Sequence, residues 1–330
     1  MSGFASMDIL TSNGQGLQAH STVGETLLKN GFNINALRTN RTLRDDEWEL
    51  YDNKIVKIAQ ERLVAVGDLM NAGLRYDLPN ALGTTRLEWD RISDMGKAEL
   101  SMSGVKEGQN DRVLYDLASL PIPIIHKDFT INIRTLEASR RLGQPLDTTQ
   151  AEYAARQVSE LTEELLFRGA NISGTNGRIW GYETFPDRNV GTLTAPWRTS
   201  TGEQIVTDIL RMIEAAVADN MYGPYTLYID NATYIHFGND YKEDSDKTIM
   251  QRVMEIPDLV AVKASSKVSP GSSILIQMTS DVVDMVVGQQ PTPIQWDSHG
   301  GFKMHFKVMS IMVPRIKSDL NGQSGVTHFT

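Results

Sequence analysis

The sequence contains no cysteine among its 330 residues. This absence excludes disulfide bonds and thiolate metal sites, and it fits either a reducing cytoplasm or a particle held together by non-covalent contacts. No apolar run approaches the roughly 20 residues that span a bilayer. Residues 1–14 also lack the basic segment and apolar core of a secretory signal. We therefore expect neither secretion nor membrane anchoring.

The common catalytic and phosphate-binding motifs are also missing, because GxSxG, GxxxxGK[ST], GxGxxG and HExxH do not occur. None of the six histidines has another histidine three or four residues away, which is the spacing of a helical metal site. The acidic segment 240–247 lacks the glycine and terminal glutamate of a calcium loop. We predict that the protein is not an enzyme and binds no metal or cofactor.

A hydrophobic content of 40% and a charged content of 22% are ordinary for a folded soluble protein. The net charge of -9 argues against wholesale adsorption of nucleic acid. Residues 27–44 depart from this balance, since they carry four cations and no acidic residue: Lys29, Arg38, Arg41 and Arg44. This segment is either a solvated polar arm or an arm that faces phosphate.

Residues 147–169 predict a long helix around which the rest of the chain is organised. Asp147 and Gln150 have the spacing of a capping box, and Gly169 suits the end of a helix. Apolar residues recur at helical spacing and predict one buried stripe, formed by Ala151, Ala154, Ala155, Val158, Leu161 and Leu165.

A second helix is predicted to begin at Thr42 with Asp45 and to end at Gly67. Its apolar stripe consists of Trp48, Tyr51, Ile55, Ile58, Ala59, Leu63 and Val66. Residues 1–41 before it are rich in Ser, Thr, Asn and Gly, so they predict an extended arm that needs another surface to lie on.

Residues 76–128 predict a long two-stranded ribbon, with alternating segments around Leu87 and Val113. An isolated ribbon of this kind is marginal in water, so it needs a second surface. Residues 121–136 predict a returning strand with Phe129, Ile131 and Ile133 on one face.

The remainder alternates helix and strand and predicts an α+β protein. Thr201 and Gln204 form a capping box that opens a helix. Strands are predicted at 225–230, 259–263, 273–278, 281–288 and 302–315, with a short helix at 247–255.

Three segments carry a resemblance to a known family. LRDDEWELYDNKIVKIAQERL resembles the first helix of encapsulins, with Trp48 and Glu49 at the positions of its tryptophan and acid. PIPIIHKDFTINIRTLEASRR resembles the strand that precedes their spine helix. Residues 147–169 resemble the spine itself through Asp147, Ala154, Ala155, Glu163, Phe167 and Gly169. Over residues 45–181 the chain thus resembles the HK97-fold shell proteins, which comprise tailed-phage major capsid proteins and encapsulins.

The resemblance implies an HK97-like capsid fold with a spine helix, an extended E-loop hairpin, a P-domain and an A-domain. The implied divisions are an N-terminal arm (1–41), a first P-domain helix region (42–79), the E-loop (80–127), the P-domain with the spine helix (128–199), the A-domain (200–290), and closing P-domain strands with the C-terminus (291–330). The long arm and Thr162, which replaces an acid of the encapsulin spine, depart from the encapsulin pattern.

The implied function is that of a major capsid protein of the virion, assembled in the host cytoplasm into an icosahedral phage head around double-stranded DNA. Its implied partners are further copies of itself in hexamers and pentamers, a portal protein, and scaffold or decoration proteins. The alternative is an encapsulin shell around a cargo enzyme. An enzyme is the third possibility, and the missing motifs disfavour it.

Two sets of residues are predicted to carry this function. Contacts between subunits are predicted in the ribbon, at Arg86, Leu87, Trp89, Arg91, Val113 and Tyr115. In an isolated subunit, Trp89 should therefore be largely exposed. The second set faces packaged DNA and consists of Lys29, Arg38, Arg41 and Arg44.

Overall fold

The computed structural model describes residues 9–10, 16–17, 45–93, 115–141, 148–172, 177–242, 246–299 and 302–330. Its helices are α1 (Asp45–Arg62), α2 (Ala65–Asn71), α3 (Ile133–Arg141), α4 (Thr149–Arg168), α5 (Gly202–Ala218), α6 (Asn231–His236) and α7 (Ile249–Met254). Its strands are β1 (Ile9–Leu10), β2 (Gly16–Leu17), β3 (Arg75–Asp77), β4 (Arg86–Ile92), β5 (Tyr115–Pro121), β6 (Ile125–Asn132), β7 (Ala170–Asn171), β8 (Arg178–Ile179), β9 (Asn189–Gly191), β10 (Tyr225–Ile229), β11 (Leu259–Ala264), β12 (Ser273–Gln277), β13 (Val283–Ser298), β14 (Lys303–Ile316) and β15 (Val326–Phe329).

Helix α4, which we call the spine helix, confirms most of the predicted stripe. Five of its six residues are buried: Ala151, Ala154, Ala155, Val158 and Leu165. The sixth assignment was wrong, because Leu161 is 47% exposed. It lies at the edge of the stripe, seven residues after the buried Ala154 and eight after the exposed Tyr153, and the elements that cover the rest of the stripe leave it exposed.

The two ends of the spine helix differ in how well the sequence predicted them. Its N-cap is Thr148, which has no side-chain capping bond and instead donates from Oγ1 to Glu152 at 2.8 Å. The predicted capping residue Asp147 lies outside the described residues. Gly169 ends the helix as predicted, with φ of 67° and its N–H donating to the carbonyl of Leu165. A Cβ at this glycine would lie 2.1 Å from the carbonyl oxygen of Ile179, which excludes larger residues.

The helix predicted to run as far as Gly67 is instead two helices, α1 and α2. The break has a specific cause, because the Glu163 carboxylate of the spine helix accepts the backbone N–H groups of Ala65 and Val66. In a continuous helix these two N–H groups would instead donate to the carbonyls four residues earlier. In α1 the predicted residues Tyr51, Ile55 and Ala59 are buried, and the side chain of Trp48 lies outside what the structure describes.

The predicted strand at 121–136 is also divided. Pro121 ends β5, β6 follows, and helix α3 begins at Ile133. The Asn132 side chain accepts the N–H of Arg134 at 2.9 Å, which favours the turn from strand into helix. Within β6, Phe129 and Ile131 are half-buried.

A four-stranded sheet has the order β3-β13-β14-β6, and its centre is the long antiparallel pair β13–β14. Both faces of this pair are buried over Val283–Val287 and Ile311–Ile316. One face carries Val286, Ile311 and Val313 into the core that it shares with α1 and the spine helix. The opposite face carries residues into a second core toward the other sheet, namely Val283, Met285, Val287, Met312 and Ile316.

A five-stranded sheet has the order β11-β10-β12-β15-β9 and mixes parallel and antiparallel pairs. Helix α5 packs on it through Ile205, Ile209, Met212 and Ala216, and the predicted capping box of Thr201 and Gln204 is present. The strand predicted at 281–288 is the first half of β13, which continues across residue 290. The division into P- and A-domains stays a prediction.

Candidate subunit interface

The predicted ribbon is the antiparallel hairpin β4–β5, paired from Arg86↔Pro121 to Ile92↔Tyr115. Residues directly opposite each other share a face, and successive residues alternate between faces. The inner face carries Leu87, Trp89, Arg91, Asp116, Ala118 and Leu120. The outer face carries Arg86, Glu88, Asp90, Tyr115, Leu117 and Ser119.

The inner face packs on the chain's own body. Leu87 and Trp89 are half-buried against the core between the spine helix and the four-stranded sheet. The Arg315 guanidinium lies 5.5 Å from the Trp89 ring centroid and 4.6 Å from that of Tyr76. The expectation that Trp89 is largely exposed in a single chain was therefore wrong. Its assignment to a contact between subunits stays a prediction.

Arg91 ties the base of the hairpin to the body. Its Nη2 donates to Asp116 across the hairpin at 2.6 Å, and its Nη1 lies 3.4 Å from Asp187. Asp187 also accepts the Ser318 hydroxyl at 2.6 Å. Ion pairing, stacking and apolar packing together fix the orientation of the hairpin's base.

A cleft of about 240 Å³ lies between this base and the body, lined in part by Trp89, Arg91, Trp180, Phe185, Arg315 and Lys317. Its cations have internal partners. Arg315 donates to Asp284 at 2.8 and 2.5 Å, and Lys317 donates to the same carboxylate at 2.7 Å. The charges in this wall are therefore largely balanced within the chain.

Among the described residues, nothing covers the outer face of the hairpin around Tyr115 and Leu117. Tyr115 is 67% exposed and Leu117 is 61% exposed, with the exposed acids Glu88 and Asp90 beside them. Sequence reasoning included Tyr115 but missed Leu117. The period-two alternation of YDLASLP would have found it, since Leu117 has the parity of Tyr115.

The spine helix carries a second exposed apolar stripe. Tyr153 is 62% exposed and Leu161 is 47% exposed, and the exposed Gln157 lies between them at the i+4 position. Residues at this spacing line one side of a helix, so they form a continuous surface.

Several predicted site residues cannot be placed. Val113 and the four cations Lys29, Arg38, Arg41 and Arg44 lie outside the described residues. Arg86 is exposed on the outer face of the hairpin. The roles assigned to these residues stay predictions.

One buried pair has the composition of a catalytic site but not its geometry. His328 Nε2 lies 2.5 Å from the Ser272 hydroxyl, and Arg188 Nε donates to His328 Nδ1 at 3.3 Å. Because Nδ1 accepts, Nε2 carries the proton and donates to Ser272, so this histidine cannot remove the serine's proton. Burial also lowers the pKa of His328 from its usual value.

Two other kinds of site are missing from the described ranges. No group of three or more His, Asp or Glu residues there could hold a metal ion. In the same ranges, no helix combines the length and apolar character needed to cross a membrane.

The architecture matches solved shell structures. The virus-like particle from Pyrococcus furiosus is 18% identical and matches with a TM-score of 0.63, covering 86% of this chain and 99% of that one. The capsid of Myoviridae phage XM1 is 12% identical and matches with a TM-score of 0.59, covering 75% and 86%. The chain therefore has the predicted α+β HK97-like fold.

Sequence similarity extends over most of the chain. It is 25% identical over 284 residues to the type 1 encapsulin shell protein EncA of Myxococcus xanthus (strain DK1622), covering 83% of this chain and 90% of EncA. Residues 35–329 match the profile of DUF6260, described as a family of unknown function, and the chain belongs to that family.

Proposed function

We propose that this protein is a structural shell protein whose copies close into a hollow icosahedral particle. The observation that carries the proposal is the uncovered outer face of the hairpin, where Tyr115 and Leu117 stay exposed while the inner face is packed. Exposed apolar groups on a thin ribbon favour burial against another subunit. The shell proteins among its relatives support the same function.

In this proposal, Tyr115 and Leu117 of one subunit pack against a neighbouring copy. Burying each side chain contributes about 2 kcal/mol, and the contribution is repeated at every subunit of a closed particle. A contact between two different surfaces generates rings, which fits the expected hexamers and pentamers. On the neighbouring copy, we assign the contact to the exposed spine-helix surface formed by Tyr153 and Leu161.

The test separates the two faces of the hairpin. Tyr115→Ser combined with Leu117→Ser should leave the melting temperature nearly unchanged but prevent shell closure, because these side chains contribute little to the monomer core. Trp89→Ala should lower the melting temperature, because it removes packing within the chain. Glu88→Gln, on the outer face, is the matched control that keeps the apolar pair.

Assembly is measured by light scattering and negative-stain electron microscopy, and folding by circular dichroism. Normal closed particles from the Tyr115/Leu117 double variant would overturn the assignment of the outer face. A monodisperse monomer from the unmodified protein, across a wide range of concentrations, would overturn shell formation itself.

For the contents of the particle, we infer double-stranded DNA in a phage head. The four cations of residues 27–44 support this inference, since phosphate binding favours a basic segment inside an otherwise acidic protein. Purified particles should then contain nuclease-resistant DNA. Residues 27–44 should resist protease while the shell is closed, and rapid cleavage there would place the segment outside. A portal protein and scaffold or decoration proteins belong to this proposal.

The second candidate is an encapsulin that encloses a cargo enzyme. Its support is the 25% identity to the EncA shell protein over 83% of this chain. The contents of the particles distinguish the two candidates. A stoichiometric cargo protein without protected DNA would favour the encapsulin, whereas genome-length DNA would favour the phage head.

A further inference from the structure

Helix α2 joins the spine helix to the five-stranded sheet, and its first contact is a buried carboxylate. Glu163 of the spine helix is 2% exposed. Its Oε1 accepts the N–H of Ala65 at 2.8 Å, and its Oε2 accepts the N–H of Val66 at 3.2 Å. The start of α2 is thus held by one acidic side chain that is nearly 100 positions away in the sequence.

The other side of α2 is bonded to the five-stranded sheet through Asp68. Its Oδ2 accepts the Tyr228 hydroxyl of β10 at 3.1 Å, and its Oδ1 accepts Lys263 Nζ of β11 at 3.1 Å. A continuous set of contacts therefore runs from the spine helix through α2 to the sheet.

Aromatic rings enclose this joint. Phe167 of the spine helix meets Tyr182 and Tyr228 edge to face, with ring centroids 5.7 and 5.6 Å apart. The Tyr182 hydroxyl is buried and has no hydrogen-bond partner among the described residues. Water is thus largely excluded around the Glu163 carboxylate, whereas the Asp68 side chain is 20% exposed. An uncompensated negative charge on Glu163 costs free energy in such a site.

The charged and titratable groups around Glu163 come from several elements. Asp68 lies on α2, Tyr228 on β10 and Lys263 on β11, and Tyr182 follows β8. Lys267 follows β11 and donates to Glu164, the residue next to Glu163 on the spine helix, at 3.3 Å. Of the two lysines, Lys263 is bonded to Asp68 and Lys267 to Glu164, so both direct their hydrogen bonds to carboxylates other than Glu163.

The pKa of Glu163 is raised to about 7, chiefly by burial, with a smaller contribution from the charge of Asp68, while the two backbone N–H donors oppose the shift. A carboxyl group exposed by opening of the joint regains its usual pKa of 4.5. The closed joint therefore binds the proton more tightly than the open joint. Closure is favoured most below pH 4.5, weakens as the pH rises through about 7, and levels off once Glu163 is ionised in both states.

We propose that Glu163 makes the joint between the spine helix and the five-stranded sheet a proton-dependent latch, which is closed most firmly when Glu163 is protonated and is loosened when it is ionised. The latch is a property of the subunit, so it does not depend on what a particle encloses.

Hydrogen exchange measured by mass spectrometry on the full-length protein tests the latch. After correction for intrinsic exchange rates, the open population of α2 should rise by roughly 10- to 100-fold between pH 5 and pH 7.5. In Glu163→Gln, which cannot ionise, the rise should disappear. Glu164→Gln is the matched control, since it neutralises the neighbouring residue and should keep the rise.

A second variant keeps the test decisive if Glu163→Gln fails to fold. Asp68→Asn removes the negative charge beside Glu163 and should move the midpoint of the rise to lower pH. An unchanged midpoint in that variant would overturn the proposal. The proposal is also overturned if the unmodified protein shows no rise, or if Glu163→Gln keeps it.

Discussion

Replacing Asp284 by asparagine removes the carboxylate that Arg315 and Lys317 share. Asp284 lies directly opposite Arg315 in the β13–β14 pair, and their side chains are 7% and 9% exposed. The arginine would remain buried without a negative partner, which costs about 3–5 kcal/mol. Lys317 is 23% exposed, so hydration of its ammonium group partly offsets the loss of its ion pair with Asp284.

This cost is large against a total stability of about 5–15 kcal/mol. At about 2–4 °C per kcal/mol for large domains, we expect the melting temperature to fall by about 10 °C. Circular dichroism or calorimetry of the full-length protein measures the change. Asp128→Asn is the matched control on the same sheet, because Asp128 is 49% exposed and 3.6 Å from Lys307, and it should cost less than about 1 kcal/mol.

A double variant tests the cause. Adding Arg315→Met to Asp284→Asn removes the unpaired guanidinium but keeps an apolar side chain between Tyr76 and Trp89, so part of the lost stability should return. If the melting temperature of Asp284→Asn stays close to that of the unmodified protein, the buried charge pair does not have the assigned cost.

Four further predictions concern folding and assembly. Val158→Asp should prevent stable folding, because Val158 is 1% exposed, whereas Leu161→Asp on the outer face should fold, and equal solubility of the two would contradict the stripe. Gly181→Ala should destabilise the protein in thermal melts, because its Cβ would lie 2.4 Å from the backbone nitrogen of Gly169. As the pH rises from 4.5 to 7, ionisation of Glu163 should lower the free energy of unfolding by about 3 kcal/mol. Denaturation of Glu163→Gln and of the unmodified protein, compared at each pH, isolates this contribution. Replacing residues 84–118 with a Gly/Ser linker should abolish closed shells in electron microscopy, but it should also lower the melting temperature, because Leu87 and Trp89 pack on the core.

Local patterns in the sequence predicted local structure well. The spacing of Ala154, Ala155 and Val158 indicated the buried stripe, and Thr201 with Gln204 indicated the start of α5. In each case the determining residues lie within one or two helical turns of one another.

Contacts between distant residues were not predictable in this way. The break before Ala65 depends on Glu163, which lies 98 positions further along the chain. The half-buried state of Trp89 likewise depends on Arg315 in β14. Periodicity alone could not show that Leu161 is left exposed by the elements that cover the rest of the stripe.

The prediction of the hairpin was only partly right, because it too depended on contacts between distant residues. Alternation identified the strand around Leu87 and Trp89, whereas the second strand, predicted around Val113, is described at Tyr115–Pro121. It could not show which face the body would cover. Leu87 and Trp89 have the stronger apolar pattern, and the chain uses them internally. The residues left for a partner are the less conspicuous Tyr115 and Leu117.

The long strand pair β13–β14 has a consequence for which changes in chain length the protein tolerates. Val286 enters one core, while its neighbours Met285 and Val287 enter the other. Inserting or deleting one residue would invert the faces and send every later side chain of the strand into the wrong core. Such a change would disrupt two cores at once, whereas in a strand with one solvent-exposed face it would disrupt only one core. Homologues should therefore keep a constant residue count from Val283 to Val287 and from Ile311 to Ile316, and confine their length differences to the loops.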